Sequence, residues 1–305
     1  MSYDVLIVGG GPAGLSAALA LGRARKRVLV CDAGPRRNAA AVGIHNFVTR
    51  DGIPPDDFRR IAREQLRSYP NVEVRDAQVD RVTGTKGAFR VSVGAETLEA
   101  RRILVCTGMV DQTLPIEGFR ELWGHAIFQC PYCHGWEVQD RQFGFLARPE
   151  HASHVLPFAI QLRAWSKSVT LFTAGAIELT DPDRSQLEAA GLRIVTAPIS
   201  RLVARGQHLE AVELEGGEHI PCEVLFAHPP QQQTRLVQAL GLGLDGDGFV
   251  QVDPMRRETS VPGIYAAGDL TMRKQSALAA ADSGQHSASF INLELTLERV
   301  EPTAP

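Results

Sequence analysis

"DVLIVGGGPAG", Asp4 to Gly14, is the stretch that decides how this chain folds. Asp4 to Val8 is a short apolar run of strand type. Gly9, Gly11 and Gly14 follow in the spacing GxGxxG, with Pro12 and Ala13 between them. "LSAALALGRA" then reads as a helix, and "RVLVCD" as a second strand that ends in Asp32. Strand, glycine turn, helix and strand with a terminal acid are the parts of a dinucleotide-binding unit. Gly9 permits the tight turn, Gly11 lets a pyrophosphate approach the backbone, and Gly14 lets helix and strand pack closely. The helix N-terminus offers unpaired N–H groups to the phosphates. Asp32 stands where a carboxylate can accept the ribose hydroxyls.

Working outward, the chain has 305 residues, which at ~150 residues per domain predicts about two domains. Hydrophobic residues make up 44% and charged residues 22%, enough apolar material for a sizeable core. A net charge of -3 gives no bulk field toward nucleic acid or membranes. No apolar run approaches the ~20 residues of a membrane span. "MSYDVLIVGG" enters a strand pattern at once, without the basic region or cleavage site of an export signal, so a cytoplasmic location is expected. The five cysteines, Cys31, Cys106, Cys130, Cys133 and Cys222, are odd in number and mostly isolated. That pattern predicts reduced thiols with one special pair rather than a disulfide scaffold.

Near the C-terminus stands "SVPGIYAAGDL", Ser260 to Leu270: a turn, a short buried strand, then Gly268-Asp269 opening a helix. With "LVCTGM", which carries Thr107 and Gly108, and with the "CPYC" of Cys130 to Cys133, the chain resembles the flavoprotein disulfide reductases with two dinucleotide folds. It looks most like the small thioredoxin-reductase type, over nearly its whole length. The resemblance implies FAD as cofactor, with Asp269 reaching its ribityl and pyrophosphate region. It places "GPRRNAAAVGIHNF" around the flavin, with Arg37, Asn38 and Asn46 as contacts, and the Val79 amide at the adenine. "RKQSA" matches a segment beside the isoalloxazine ring, where Lys274-Gln275 replaces the family's Arg-Gln. The implied fold is α/β: a discontinuous FAD domain, 1–114 and 227–305, with a second Rossmann-like domain, 115–226, inserted. A homodimer is implied by the resemblance alone. The closing "ERVEPTAP" reads as a tail.

The insert repeats a strand–helix–strand order in "RQFGFLA", "SHVLPFAIQLRAW" and "SVTLFTA". In the family this unit binds NADPH through GxGxxA or GxGxxG and an Arg-rich stretch. Here the turn reads "LARPEHAS", Leu146 to Ser153, with no glycine from Phe145 to Ala174. Glu150 adds negative charge near the helix start, which opposes a phosphate. "TAGAIEL" after the second strand has no arginine. NAD(P)H binding is expected to be lost or much weakened; a divergent but working site is the alternative.

"CPYCH", Cys130 to His134, has three literal readings: covalent haem attachment, half a zinc site, or a redox dithiol. Haem requires export, and zinc requires more close ligands than the scattered cysteines provide, so no metal is expected. A redox pair needs a thiolate and a partner that recloses the ring, which a two-residue spacer at a helix start provides. The resemblance then places Cys133 against the flavin and Cys130 toward substrate. His134, where the family usually has Asp, is the expected proton donor; capping or packing is its alternative role.

The expected function is FAD-dependent dithiol/disulfide exchange with an external thiol or disulfide, a thioredoxin-like protein or a small molecule. Electrons would enter or leave without normal NADPH use, through ferredoxin, another flavin, or oxygen. The alternatives are an NAD(P)H-dependent thioredoxin reductase-like enzyme and, in another class, a non-enzymatic flavin-bound redox sensor.

Overall fold

The computed structural model describes residues 2–298. Of the expected C-terminal tail, residues 298–305, all but Glu298 lies outside the described residues; Glu298 follows the last helix and holds Arg102. The chain divides into two compact units. One runs from the N-terminus to Ala39, resumes over Phe47–Val110 and returns from Gln231; the other comprises Ala40–Asn46 and Asp111–Pro230. Segment 40–46, expected with the first unit, thus groups with the second.

The first unit is built on a seven-stranded sheet. Val72–Asp76, Val28–Asp32, Tyr3–Val8, Glu96–Val105 and Ile264–Ala266 lie parallel, each beside the next. The apolar runs of Tyr3–Val8, Val28–Asp32 and Ile264–Ala266 fit strands covered on both faces. Glu96–Val105 is long enough to fork. Its first half pairs antiparallel with Ala88–Val93, and its last residues pair with Ile264–Ala266. Helix Pro12–Arg23 starts with proline at its first position, where no N–H is needed, and buries Leu15, Ala17, Ala18 and Leu21. Helix Ala277–Leu297 packs against it backbone to backbone: a Cβ on Gly284 would stand 2.0 Å from the Ala13 carbonyl oxygen. Ser276 caps that helix by accepting from the Ala279 amide at 3.1 Å.

Among the described residues, Lys26, Asp32 and Arg102 are the buried charges of this unit. Arg102 is fully buried at the fork of the long strand. Its guanidinium is held by Glu294 and Glu298 on the C-terminal helix and donates to the Arg101 carbonyl at 2.9 Å. Tyr265 and Lys86 donate to Glu294 at 2.9 and 2.8 Å.

The second unit has a five-stranded parallel sheet in the order Arg193–Val195, Val169–Phe172, Phe143–Leu146, Val224–Ala227, Ile127–Phe128. Helices Ala152–Gln161 and Asp181–Ala189 belong to this unit. A three-stranded antiparallel sheet, Ile199–Arg205, His208–Leu214 and His219–Pro221, completes it. No helix among the described residues is long and apolar enough to cross a membrane.

Candidate active site

The glycine turn has the geometry its sequence requires. Gly9 sits at φ +112°, and a Cβ there would stand 2.3 Å from the Cys106 carbonyl oxygen. A Cβ on Gly14 would meet the Gly9 oxygen at 1.9 Å. At Gly11 there is open space in front of the helix, and no acid occupies the helix's first turn. Ala13 lies beside Gly268, whose φ is +92° and whose amide donates to Ser283 Oγ at 2.9 Å. Asp269 follows directly and pairs with Arg37 at 2.9 Å. Arg37 also donates to Gln275, whose amide reaches the Asp269 carbonyl at 3.3 Å and the Gln231 side chain at 2.8 Å. Arg37, Asp269 and Gln275, distant in sequence, therefore form one network, and Gln231 joins it without any signal in its own sequence context. Thr107 accepts from Thr234 at 3.4 Å, and Gly108 takes φ +65°. Val79 is buried in the core.

Asp32 closes the second strand, 7% exposed. Arg59 and Arg63 on helix Pro55–Leu66 both donate to its Oδ2, and the Gly34 amide donates to Oδ1 at 3.2 Å. Arg36 and Arg63 keep buried Nε–H groups with no partner. An open phosphate cradle at a helix start, a carboxylate at the strand end and unused guanidinium donors fit the pyrophosphate and adenosine of FAD. Three expected contacts lie outside this constellation. Lys274 is exposed and Asn38 is half-buried, and neither makes a side-chain hydrogen bond. Asn46, at φ +61°, belongs to the second unit and donates to the Tyr132 carbonyl.

The thiol pair is in the second unit. Cys130 is extended and caps a one-turn helix, Pro131–His134. Pro131 fills the position that needs no N–H. The Cys133 amide donates to the Cys130 carbonyl at 3.1 Å, and the two Sγ atoms are 2.8 Å apart, Cys133 donating to Cys130. That thiol hydrogen bond lowers the Cys130 pKa to about 7 against the cost of burial, helped by the Cys133 and Tyr132 amides. The lowered pKa favours the thiolate form of Cys130. Burial instead pushes Cys31 up to about 11 and Cys222 up to about 12, and raises Cys106 further. Iodoacetamide should therefore label Cys130 first, with a rate that rises through pH ~7 and levels off above it. Peptide mass mapping across pH checks this; labelling spread evenly over the five cysteines would refute it.

Around the pair, Tyr132 and Trp136 are 61% and 72% exposed. Tyr132 packs edge-on against Trp165, and its hydroxyl accepts from Gln161 at 3.0 Å. Gly135 admits no larger residue: a Cβ would lie 2.9 Å from the Trp165 ring and 2.4 Å from the Pro131 carbonyl oxygen. His134 stacks on Phe128 at 4.3 Å, both ring nitrogens buried without a hydrogen-bond partner. Burial, aided by nearby His45 and countered by Glu137, pushes its pKa down to about 4. The ring is neutral at pH 7.

At the C-terminal ends of the parallel strands, where α/β sheets bind ligands, the second unit presents the following turns. Strand Phe143–Leu146 runs into a 3₁₀ turn at Pro149–His151 before helix Ala152–Gln161. Arg148 at this turn is engaged by Glu150 at 2.8 Å. After strand Val169–Phe172 the chain turns at Ala174 and Gly175, both at positive φ. His228, just after strand Val224–Ala227, meets Phe158 edge-on at 4.7 Å.

Comparison with known proteins agrees with this geometry. The pyridine nucleotide-disulphide oxidoreductase family matches residues 3–284. Thioredoxin reductase sirT of Leptosphaeria maculans is 32% identical, over 96% of this chain and 94% of its own length. Thioredoxin reductase tcpT of Claviceps purpurea is 35% identical, over 87% and 86%. The crystal structure of an oxidoreductase from Agrobacterium tumefaciens superposes with a TM-score of 0.90 at 34% identity, covering 97% of this chain and 99% of that one. The chain belongs to the pyridine nucleotide-disulphide oxidoreductase family, as an enzyme of its FAD-containing, thioredoxin reductase-like branch.

Proposed function

We propose that this enzyme oxidises dithiols to disulfides through Cys130 and Cys133 and does so without a nicotinamide nucleotide. The observation that carries this reading is the thiol pair at the start of a one-turn helix, its Sγ atoms 2.8 Å apart, in a unit whose nucleotide-position turn lacks glycine. Thiol–disulfide exchange takes up and releases protons, and His134, one residue after Cys133 and stacked on Phe128, is the side chain proposed to carry one. The glycine-free turn with its Arg148–Glu150 pair supports independence from NAD(P)H: it has no close backbone approach for a pyrophosphate and no free arginine for a 2′-phosphate.

In the oxidised enzyme Cys130 and Cys133 are joined by a disulfide. A substrate thiolate attacks Cys130 Sγ; an S–S bond forms to substrate, the Cys130–Cys133 bond breaks, and Cys133 leaves as thiolate. The second substrate thiol attacks its own sulfur bound to Cys130, releasing Cys130 thiolate and the substrate disulfide. His134 takes up a proton released in these steps. Bound FAD would supply the two-electron acceptor for the dithiol, with oxygen as terminal oxidant, so that dithiol and O₂ would give disulfide and H₂O₂. Gly9, Gly11, Pro12, Ala13, Gly14, Asp32, Arg37, Gly268, Asp269 and Gln275 would hold it; Val79, Thr107 and Gly108 line the same unit.

An oxygen electrode tests this reading. A small dithiol such as dithiothreitol should drive oxygen uptake by the flavin-loaded enzyme, one O₂ per disulfide, and 100 μM-scale NADPH should change nothing (about the level that saturates ordinary nicotinamide enzymes). NADPH-dependent reduction of a disulfide, with no dithiol-driven uptake, would overturn it in favour of a nicotinamide-dependent reductase.

A further inference from the structure

We propose that Arg59 and Arg63 are positioning residues for FAD: together they fix the Asp32 carboxylate so that a single lone pair is left for a hydroxyl of the adenosine ribose. This rests on the reading of Asp32 as the ribose acceptor. The two arginines are four residues apart on helix Pro55–Leu66 and so share one face. Arg59 forks, donating to Asp32 Oδ2 and to the Gly34 carbonyl at 3.2 Å. Arg63 also forks, donating to the same Oδ2 at 3.0 Å and to Asp76 at 2.7 Å. Asp76 ends the neighbouring parallel strand, in register with Asp32. The Gly34 amide takes one site on Oδ1. A carboxylate offers about four acceptor positions. Arg59 and Arg63 occupy those of Oδ2 and Gly34 one of Oδ1, which leaves one on Oδ1.

The placement of this carboxylate adds to the case. A Cβ on Gly10, inside the glycine turn, would lie 2.4 Å from Asp32 Oδ2, so the clamped carboxylate rests against the loop that cradles the pyrophosphate. Rotation of the carboxylate would cost three hydrogen bonds at once. Holding the acceptor in place before the ligand arrives removes an ordering cost from binding, as supporting shells do around other sites. The arginines also tie the helix to two strands, and that role alone would explain their contacts. The two roles differ in what they do to recognition of the hydroxyl.

The test uses apoprotein titrated with FAD and with analogues carrying 2′-deoxyadenosine or 3′-deoxyadenosine, followed by quenching of flavin fluorescence. Wild type should prefer FAD over one of the two analogues by about tenfold, the value of one hydrogen bond to a charged acceptor. In Arg59→Ala and Arg63→Ala that preference should fall toward one, because FAD weakens while the insensitive analogue does not. Arg59→Lys, which keeps the charge but not the fork, should give an intermediate ratio. Variants that bind both ligands more weakly yet keep the tenfold preference would overturn the clamp and leave only the structural role. Equal binding of FAD and both analogues by wild type would instead overturn the Asp32 reading, and the clamp with it.

Discussion

Serine at position 133 should cut dithiol-driven oxygen uptake by roughly 10⁴-fold or more, the scale seen when a covalent nucleophile is removed. The reason is stoichiometric. Without a Cys130–Cys133 disulfide the substrate has nothing to attack, and no electron pair can leave the pair toward FAD. Cys133→Ser should retain a second signature. Its Cys130 loses the thiol hydrogen bond that lowers its pKa and should need a higher pH to ionise. Offered a substrate disulfide, it should form a mixed disulfide that cannot resolve, visible as an added mass on the Cys130 peptide. Cys130→Ser should be equally inactive and should form no such adduct. If either variant kept more than a few per cent of wild-type uptake, the thiol pair would not be the route of the electrons.

The largest effect on stability is expected at Glu294. Replacing it with alanine should cost about 3 kcal/mol, because Arg102 is fully buried and would keep only Glu298 and a backbone carbonyl. Thermal or denaturant unfolding of the flavin-loaded protein measures this. A loss below about 1 kcal/mol would mean that water or a rearranged neighbour compensates. The pH dependence has a definite sign. Burial alone would raise the Glu294 pKa, but hydrogen bonds from Lys86, Arg102 and Tyr265 outweigh it and leave it lowered. A carboxyl lowered in the folded state stabilises above its unfolded pKa of ~4.3 and loses that contribution as pH falls through the folded value. Wild type should therefore lose stability below pH ~4.3 more steeply than Glu294→Gln.

Much of this was legible in the sequence because it rests on local rules. The tight turn at Gly9 and the close approach of Gly14 to the Gly9 carbonyl are legible from the spacing, whereas the approach of Gly9 to the Cys106 carbonyl is not. Tyr3–Val8, Val28–Asp32, Phe143–Leu146 and Val169–Phe172 are legible as short apolar runs, whereas the charged strands Val72–Asp76 and Glu96–Val105 are not. What escaped was long-range pairing of charges. Nothing near Arg59 or Arg63 says that both meet Asp32, and nothing in "RRILV" marks Arg102 as buried rather than exposed. Their partners lie on other helices, and helix periodicity reveals a face but not what it faces. Segment 40–46 was assigned to the first unit because it continues that chain; its grouping with the second depends on tertiary contacts such as Asn46 to the Tyr132 carbonyl. His134 was legible as a titrating residue. Its neutrality was not, because that follows from stacking on Phe128 and from burial.

On the proposed route, electrons reach FAD from a dithiol through Cys130 and Cys133, and not from NAD(P)H. Anaerobic stopped-flow absorbance of the flavin band tests it most directly, with the enzyme mixed in turn with a small dithiol, NADPH and NADH. Rapid bleaching by the dithiol, absent in Cys133→Ser, with no bleaching by either nucleotide on the same timescale, is the expected result. Rapid bleaching by micromolar NADPH or NADH, with none by the dithiol, would contradict it.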